Sequence, residues 1–161
     1  MRLPLDVVIE RYKNSLFSAA FAVCKNPHDA EDIIQDTFLA YHASSTQFES
    51  ERHIRAWLLR VAINKAKNVT TSFWRKNMVT LEEYMETLIF EESEDRGLFE
   101  AVMDLPEKYR IVIQLFYYED YSIREIASLL HSREGTVKSH LSRGRMLLKT
   151  KLKEEWNDDE S

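Results

Sequence analysis

Apolar side chains recur every three or four positions along most of this 161-residue chain, the period of helices buried along one face. Val8, Ile9, Tyr12, Leu16, Ala19, Ala20 and Val23 set the first stripe and predict a helix over residues 5–25. Asn26 is a good cap for the next helix, Pro27 suits its first position, and Asp29 complements its positive end. That helix runs over 27–43, with Ala30, Ile34, Thr37, Phe38 and Tyr41 inward. Residues 44–53, SSTQFESERH, are polar around Phe48 and read as a loop. A third helix over about 52–72 carries Ile54, Trp57, Leu58, Val61 and Ala62 as its stripe. Periodicity resumes at Leu98, Ala101 and Val102, in a helix that stops near Asp104. Pro106 and Glu107 open another, with Ile111, Val112, Leu115 and Phe116 inside.

The most informative stretch is 122–152. Ser122 and Glu125 have the spacing of a capping box, ahead of the stripe Ile123, Ile126, Ala127 and Leu130. His131-Ser132-Arg133 interrupts it, with Ser132 as a second candidate cap. Val137, Leu141, Leu148 and Leu152 then restore the period. Helix, three-residue turn and longer helix is the helix-turn-helix layout, and Ala127 is small where crossing helices would touch. Arg133, Lys138, Arg143, Arg145, Lys149 and Lys151 oppose only Glu134 on the second helix. Thr136, Ser139, His140 and Ser142 add hydrogen-bonding groups near its start, where a recognition helix meets base edges. The pattern favours DNA binding over a solvated amphipathic helix in an ordinary bundle, which it leaves open.

Composition refines this. The chain is 44% apolar, enough for a core, and its three Gly and three Pro suit helices with few turns. Its net charge of −5 is unusual for a nucleic-acid binder, but the charge is unevenly placed. Residues 1–77 hold 11 basic and 8 acidic side chains, and 97–152 hold 9 and 7. Between them 78–96 hold 1 and 7, and 153–161 hold 1 and 5. Two mildly basic domains, 1–77 and 97–152, are therefore expected on either side of an acidic linker, 78–96, with an acidic tail, 153–161, expected to fray. LEEYMETLIFEE, inside the linker, has some helical spacing. Fully extended, the linker would reach about 60 Å, enough to span one and a half turns of duplex. Cys24 is alone, so no intramolecular disulfide is possible, and its apolar surroundings place it in the core. No apolar run or leader suggests membrane insertion, and the expected location is cytoplasmic.

Two further clusters carry candidate chemistry. Asp29, Asp32, Gln35 and Asp36 fall at helical spacing on one side of the second helix. They could be a solvated acidic face or a docking surface for a basic partner, and composition does not decide. No His stands among them at ligand spacing, so a metal site is weakly supported. From Arg52 to Lys76 there are seven Lys or Arg and no acid, interleaved with Trp57, Phe73 and Trp74. Cations among aromatics suit single-stranded nucleic acid, although the phase of Trp57 points to the core. The five His show no His-Glu-x-x-His spacing, and there is no phosphate-binding Gly loop or Ser nucleophile elbow, so an enzyme is disfavoured.

The segments DAEDIIQDTFLAY at 29–41, RAWLLRVAINKAKN at 55–68, LPEKYRIVIQLFYYEDYSIREIA at 105–127 and GTVKSHLSRGRMLLK at 135–149, in this order and spacing, resemble the extracytoplasmic-function sigma factors of bacterial RNA polymerase. The resemblance implies an N-terminal bundle of three to four helices, sigma domain 2, and a C-terminal helix-turn-helix bundle, sigma domain 4. It implies docking on core polymerase through Asp29, Asp32, Gln35 and Asp36. It assigns recognition and melting of the −10 element to the third helix and the loop before it, with Arg60, Asn64, Lys65, Lys67 and Asn68 as strand contacts. It makes Arg133, Glu134, Thr136, Lys138, Ser139 and Arg143 the readers of the −35 element. An anti-sigma factor is implied by the resemblance alone, and no cofactor or catalytic residue is. His131 stands where many members have a turn glycine, and His140 where Arg is common. A stand-alone helix-turn-helix regulator is the rival reading, and it leaves the basic-aromatic block at 52–76 unexplained. An adaptor using the same helices for protein docking alone is another.

Overall fold

The computed structural model describes residues 1–69 and 93–160, and only the backbone of 93–95 and 155–160. The end of the third predicted helix, the aromatics Phe73 and Trp74 and most of the expected linker lie outside the described residues. The regular elements among the described residues are all helices, and the chain divides into two compact units, Met1–Tyr84 and Met85–Ser161.

In the first unit α1 (Leu5–Cys24), α2 (Pro27–Ala43) and α3 (Glu51–Val69) pack pairwise around one core. Leu16, Tyr41, Ile54, Leu58, Leu59 and Ile63 are fully buried. Burying an aliphatic side chain of this size stabilises by about 1.5–3 kcal/mol. The small Ala19, Ala20 and Ala22 on α1 are fully buried among them. Lys25 ends α1 in the left-handed region, its N–H returning to the Phe21 carbonyl. One residue later the Asn26 side chain accepts from the His28 and Asp29 amides at 2.9 and 3.1 Å. With Pro27 behind it, this is the cap the sequence predicts, worth about 1 kcal/mol. Exposed Arg11 and Glu51 pair at 2.5 Å between α1 and α3, and the carboxylate raises the guanidinium's pKa further.

The second unit holds α4 (Ser93–Met103), α5 (Glu107–Ile113), α6 (Ile123–Leu130) and α7 (Glu134–Glu160). α4 begins inside the segment read as linker. α7 continues through the acidic residues expected to fray. Between α5 and α6, Gln114–Tyr118 form a π turn, with the Glu119 amide bonded to the Gln114 carbonyl at 3.2 Å. Buried Arg110 donates to the carbonyls of Met103 and Leu105 at 3.4 and 2.9 Å, satisfying acceptors left over where α4 ends.

Candidate nucleic-acid interface

The turn between α6 and α7 is fixed at both ends by local hydrogen bonds. The Glu125 amide donates to Ser122 Oγ and the Ser122 amide to Glu125 Oε1, both at 3.1 Å, which completes the capping box. At the other end of α6 the Ser132 amide returns to the Ala127 carbonyl at 2.9 Å and the His131 amide to that of Ser128 at 3.4 Å. This is a Schellman closure. It requires the residue after the helix to be left-handed, and His131 has φ 53°. Ser132 is thereby drawn into closing α6 and does not cap α7. α7 begins one residue later than that reading implied, with the Val137 amide bonded to the Arg133 carbonyl at 3.1 Å.

α7 turns Val137, Leu141 and Gly144 inward and leaves Arg133, Glu134, Thr136, Lys138, Ser139 and Arg143 exposed. At 100° per residue, the five exposed side chains from 134 to 143 spread over the half-cylinder opposite the buried stripe. All six residues expected to meet DNA are thus available to it. Two other cations on the helix make contacts within the fold. Arg145 Nε donates to Tyr117 Oη at 2.5 Å, with its guanidinium 5.4 Å from the Phe116 ring. Lys151 pairs with Asp104. His140 is half-buried, edge-on to the Tyr109 ring at 5.5 Å, and so contributes packing where many relatives are expected to carry a cation. Gly144 lets α7 approach α5: a Cβ there would lie 2.7 Å from Ile113 Cδ1 and 3.3 Å from Tyr109 Cβ.

In the first unit α3 presents a second polar stripe. Arg60, Asn64, Lys67 and Asn68 share one side of the helix by their spacing, with Asn64, Lys67 and Asn68 exposed and Arg60 half-buried. Lys65 is half-buried and lies off that line. Trp57, expected in the core, is only half-buried. Its ring is edge-on to Phe48 and Tyr41, at 5.8 and 6.3 Å between centroids. A part-exposed indole beside cations is the pairing that suits an unstacked base.

The acidic face of α2 divides. Asp32, Gln35 and Asp36 are exposed. Asp29 is not: it is 3% exposed, and its Oδ1 has no hydrogen-bond partner among the described residues. Burial, and then the nearby Asp32 charge, raise its pKa above the usual carboxylate range, while His28 lowers it. Asp29 therefore cannot share a contact surface with the other three in this conformation. Sequence reasoning overlooked Leu39, which is 64% exposed and seven residues beyond Asp32 on the same face. An apolar residue in a polar stripe was the available signal. It also overlooked an apolar groove of about 830 Å³ in the second unit, lined by Leu98, Val102, Tyr117, Leu148 and Leu152 among others. Among the described residues no three His, Cys, Asp or Glu side chains gather as metal ligands, and no helix is long and apolar enough to cross a membrane.

Both units match known family models. Residues 8–78 match sigma-70 region 2 and residues 96–148 match sigma-70 region 4. The chain is 28% identical over 157 residues to the RNA polymerase sigma factor SigV of Bacillus subtilis, covering 94% of this chain and 92% of that protein. It is 26% identical over 164 residues to the ECF sigma factor SigW of the same organism, covering 91% and 88%. Among solved structures it resembles the sigma factor RpoE bound to the anti-sigma factor NepR from Bartonella quintana, with TM-score 0.73 and 21% identity over 92% of this chain and 96% of that one. It also resembles CnrH bound to the cytosolic domain of CnrY, with TM-score 0.65 and 25% identity over 92% and 87%. With two models that together span more than half the chain, and relatives aligned over nearly all of it, the chain belongs to the extracytoplasmic-function sigma factors, the subunits that direct bacterial RNA polymerase to promoters.

Proposed function

We propose that this sigma factor divides promoter recognition between its two units. α7 reads the −35 element through Arg133, Glu134, Thr136, Lys138, Ser139 and Arg143. α3 and the loop 44–50 take the −10 element, with Arg60, Asn64, Lys67 and Asn68 along the strand and Lys65 at its flank. The exposed stripe of α2, Asp32, Gln35 and Asp36 with Leu39 beside them, docks on core polymerase. Catalysis belongs to core polymerase; the sigma chain supplies the address and helps to open the strands. The working compartment is the cytoplasm. One similar solved structure is a complex with an anti-sigma factor, which supports a regulatory partner of that kind here.

The observation that carries the reading is the exposure of all six residues, Arg133 just before α7 and the other five on one half-cylinder of it. The polar stripe on α3 is what a stand-alone regulator would not need. Arg takes guanine edges and Lys more often phosphate, and each good bidentate contact discriminates by about 1–3 kcal/mol.

Transcription by core polymerase plus this chain, on a library of genomic fragments, tests the proposal. Specific start sites should appear. Arg133→Ala should relax base preference at one −35 position, whereas Lys138→Ala should weaken all promoters alike and lower the salt slope by about one. Asp32→Lys with Asp36→Lys should abolish competition for core. Specific initiation that survives neutralisation of Arg133, Lys138 and Arg143 together would overturn the assignment of α7.

A further inference from the structure

We propose that Arg2 is a positioning residue for promoter selectivity: its guanidinium holds the loop 44–50 in the shape that presents Ser45, Gln47 and Glu49 to bases. The inference rests on the reading of that loop as part of the −10 reader.

The loop alternates. Ser44, Thr46 and Phe48 are turned inward or half-buried, and Ser45, Gln47, Glu49 and Ser50 are exposed. Side chains that alternate across a backbone mark an extended segment, which has no ladder of its own to hold it. Arg2 supplies the restraint from more than forty residues away. Its Nη1 donates to the Thr46 carbonyl at 3.0 Å, and its Nη2 donates to the Ser44 carbonyl at 2.6 Å and to the Tyr41 carbonyl. Three acceptors on successive parts of the turn thus share one planar fork, an arrangement a lysine ammonium cannot reproduce. The Tyr41 carbonyl belongs to the last turn of α2, where a cation is favoured.

The same guanidinium lies 4.7 Å from the Tyr41 ring centre and 5.8 Å from that of Phe48. Tyr41 Oη donates to the Leu3 carbonyl at 2.7 Å, which ties the segment before α1 to α2. Phe48 packs on Trp57, so a shift of the loop would reach the half-exposed indole on α3. Within the loop, the Ser44 hydroxyl accepts from the Thr46 amide at 3.0 Å, and the Glu49 amide donates to His53 Nδ1 at 3.0 Å. The Glu49–His53 bond pins the far end of the loop, and Arg2 together with the Ser44–Thr46 bond pins its start. Removing the fork returns three carbonyls to water and frees the loop to sample other shapes, a loss of preorganisation with little loss of buried surface.

The test compares wild type, Arg2→Ala and Arg2→Lys in holoenzyme, on promoters carrying each base at each −10 position. Core affinity by competition and thermal midpoint are measured alongside. Both variants should lower the best-to-worst base ratio at one or two −10 positions by roughly fivefold to tenfold, the scale of one lost base contact. Core affinity and −35 dependence should be unchanged, and a template already open across the −10 element should not restore the ratio. Variants that keep the wild-type ratio, with or without a lower thermal midpoint, would overturn the inference and leave the promoter reading intact. A wild-type holoenzyme with no −10 preference would overturn the promoter reading itself.

Discussion

Two residues occupy positions their chemistry does not favour. Asp29 is a buried carboxylate whose folded pKa stands above its unfolded value. The folded chain therefore holds the proton more tightly, so stability falls as pH rises through the interval from the ordinary carboxylate range to the raised value. Asp29→Asn should unfold at a higher temperature than wild type at pH 7, and the difference should vanish in acid below that interval. If Asp29 met core polymerase directly, the variant would also lose core affinity; its burial predicts that affinity stays. His131 holds a left-handed backbone at the close of α6. That conformation costs a non-glycine residue about 1–2 kcal/mol, and glycine's greater freedom in the unfolded chain returns part of it. His131→Gly should therefore stabilise the second unit by about 0.5–1 kcal/mol, read from denaturant unfolding. The spacing of acids and the missing glycine were both visible in the sequence. The depth of Asp29 was not, because helical phase assigns a side and says nothing about what covers it.

Helices were legible because their ends carry local signals. Asn26-Pro27 and the Ser122–Glu125 box are readable within four residues, and the structure makes both sets of bonds. Features that join distant residues were not legible. Nothing near Arg2 announces loop 44–50, and nothing near Gly144 announces Ile113. The π turn at Gln114–Tyr118 sits in a stretch whose apolar spacing continues without a break. Gly144 offers the sharpest check on packing. Alanine gains about 1 kcal/mol of helix propensity over glycine, but its Cβ would lie 2.7 Å from Ile113 Cδ1, on a side chain only 2% exposed that would have to shift, and 3.3 Å from Tyr109 Cβ. Overpacking of this kind costs about 1–3 kcal/mol. Gly144→Ala should therefore destabilise the second unit, whereas Gly135→Ala, with nothing within 4 Å, should stabilise it slightly. Equal effects at the two glycines would contradict the close approach of α5 and α7.

At the scale of the whole chain, the two polar surfaces belong to a protein of net charge −5. Long-range attraction to DNA is correspondingly weak, and the free chain should bind promoter fragments poorly, gaining affinity only with core polymerase. A gel shift showing tight, sequence-specific binding by the free chain would contradict this. The match of both units to sigma regions leaves the division of labour between them as the main expectation to test. α7 adds a consequence of its own. It begins among exposed cations suited to phosphate, and its backbone runs on to Glu160 through a sequence that holds five acids from position 154 onward. Added electrolyte weakens attraction at the first end and relieves repulsion at the other. A single rod should therefore loosen its grip on the duplex at ionic strengths that firm up its own far terminus.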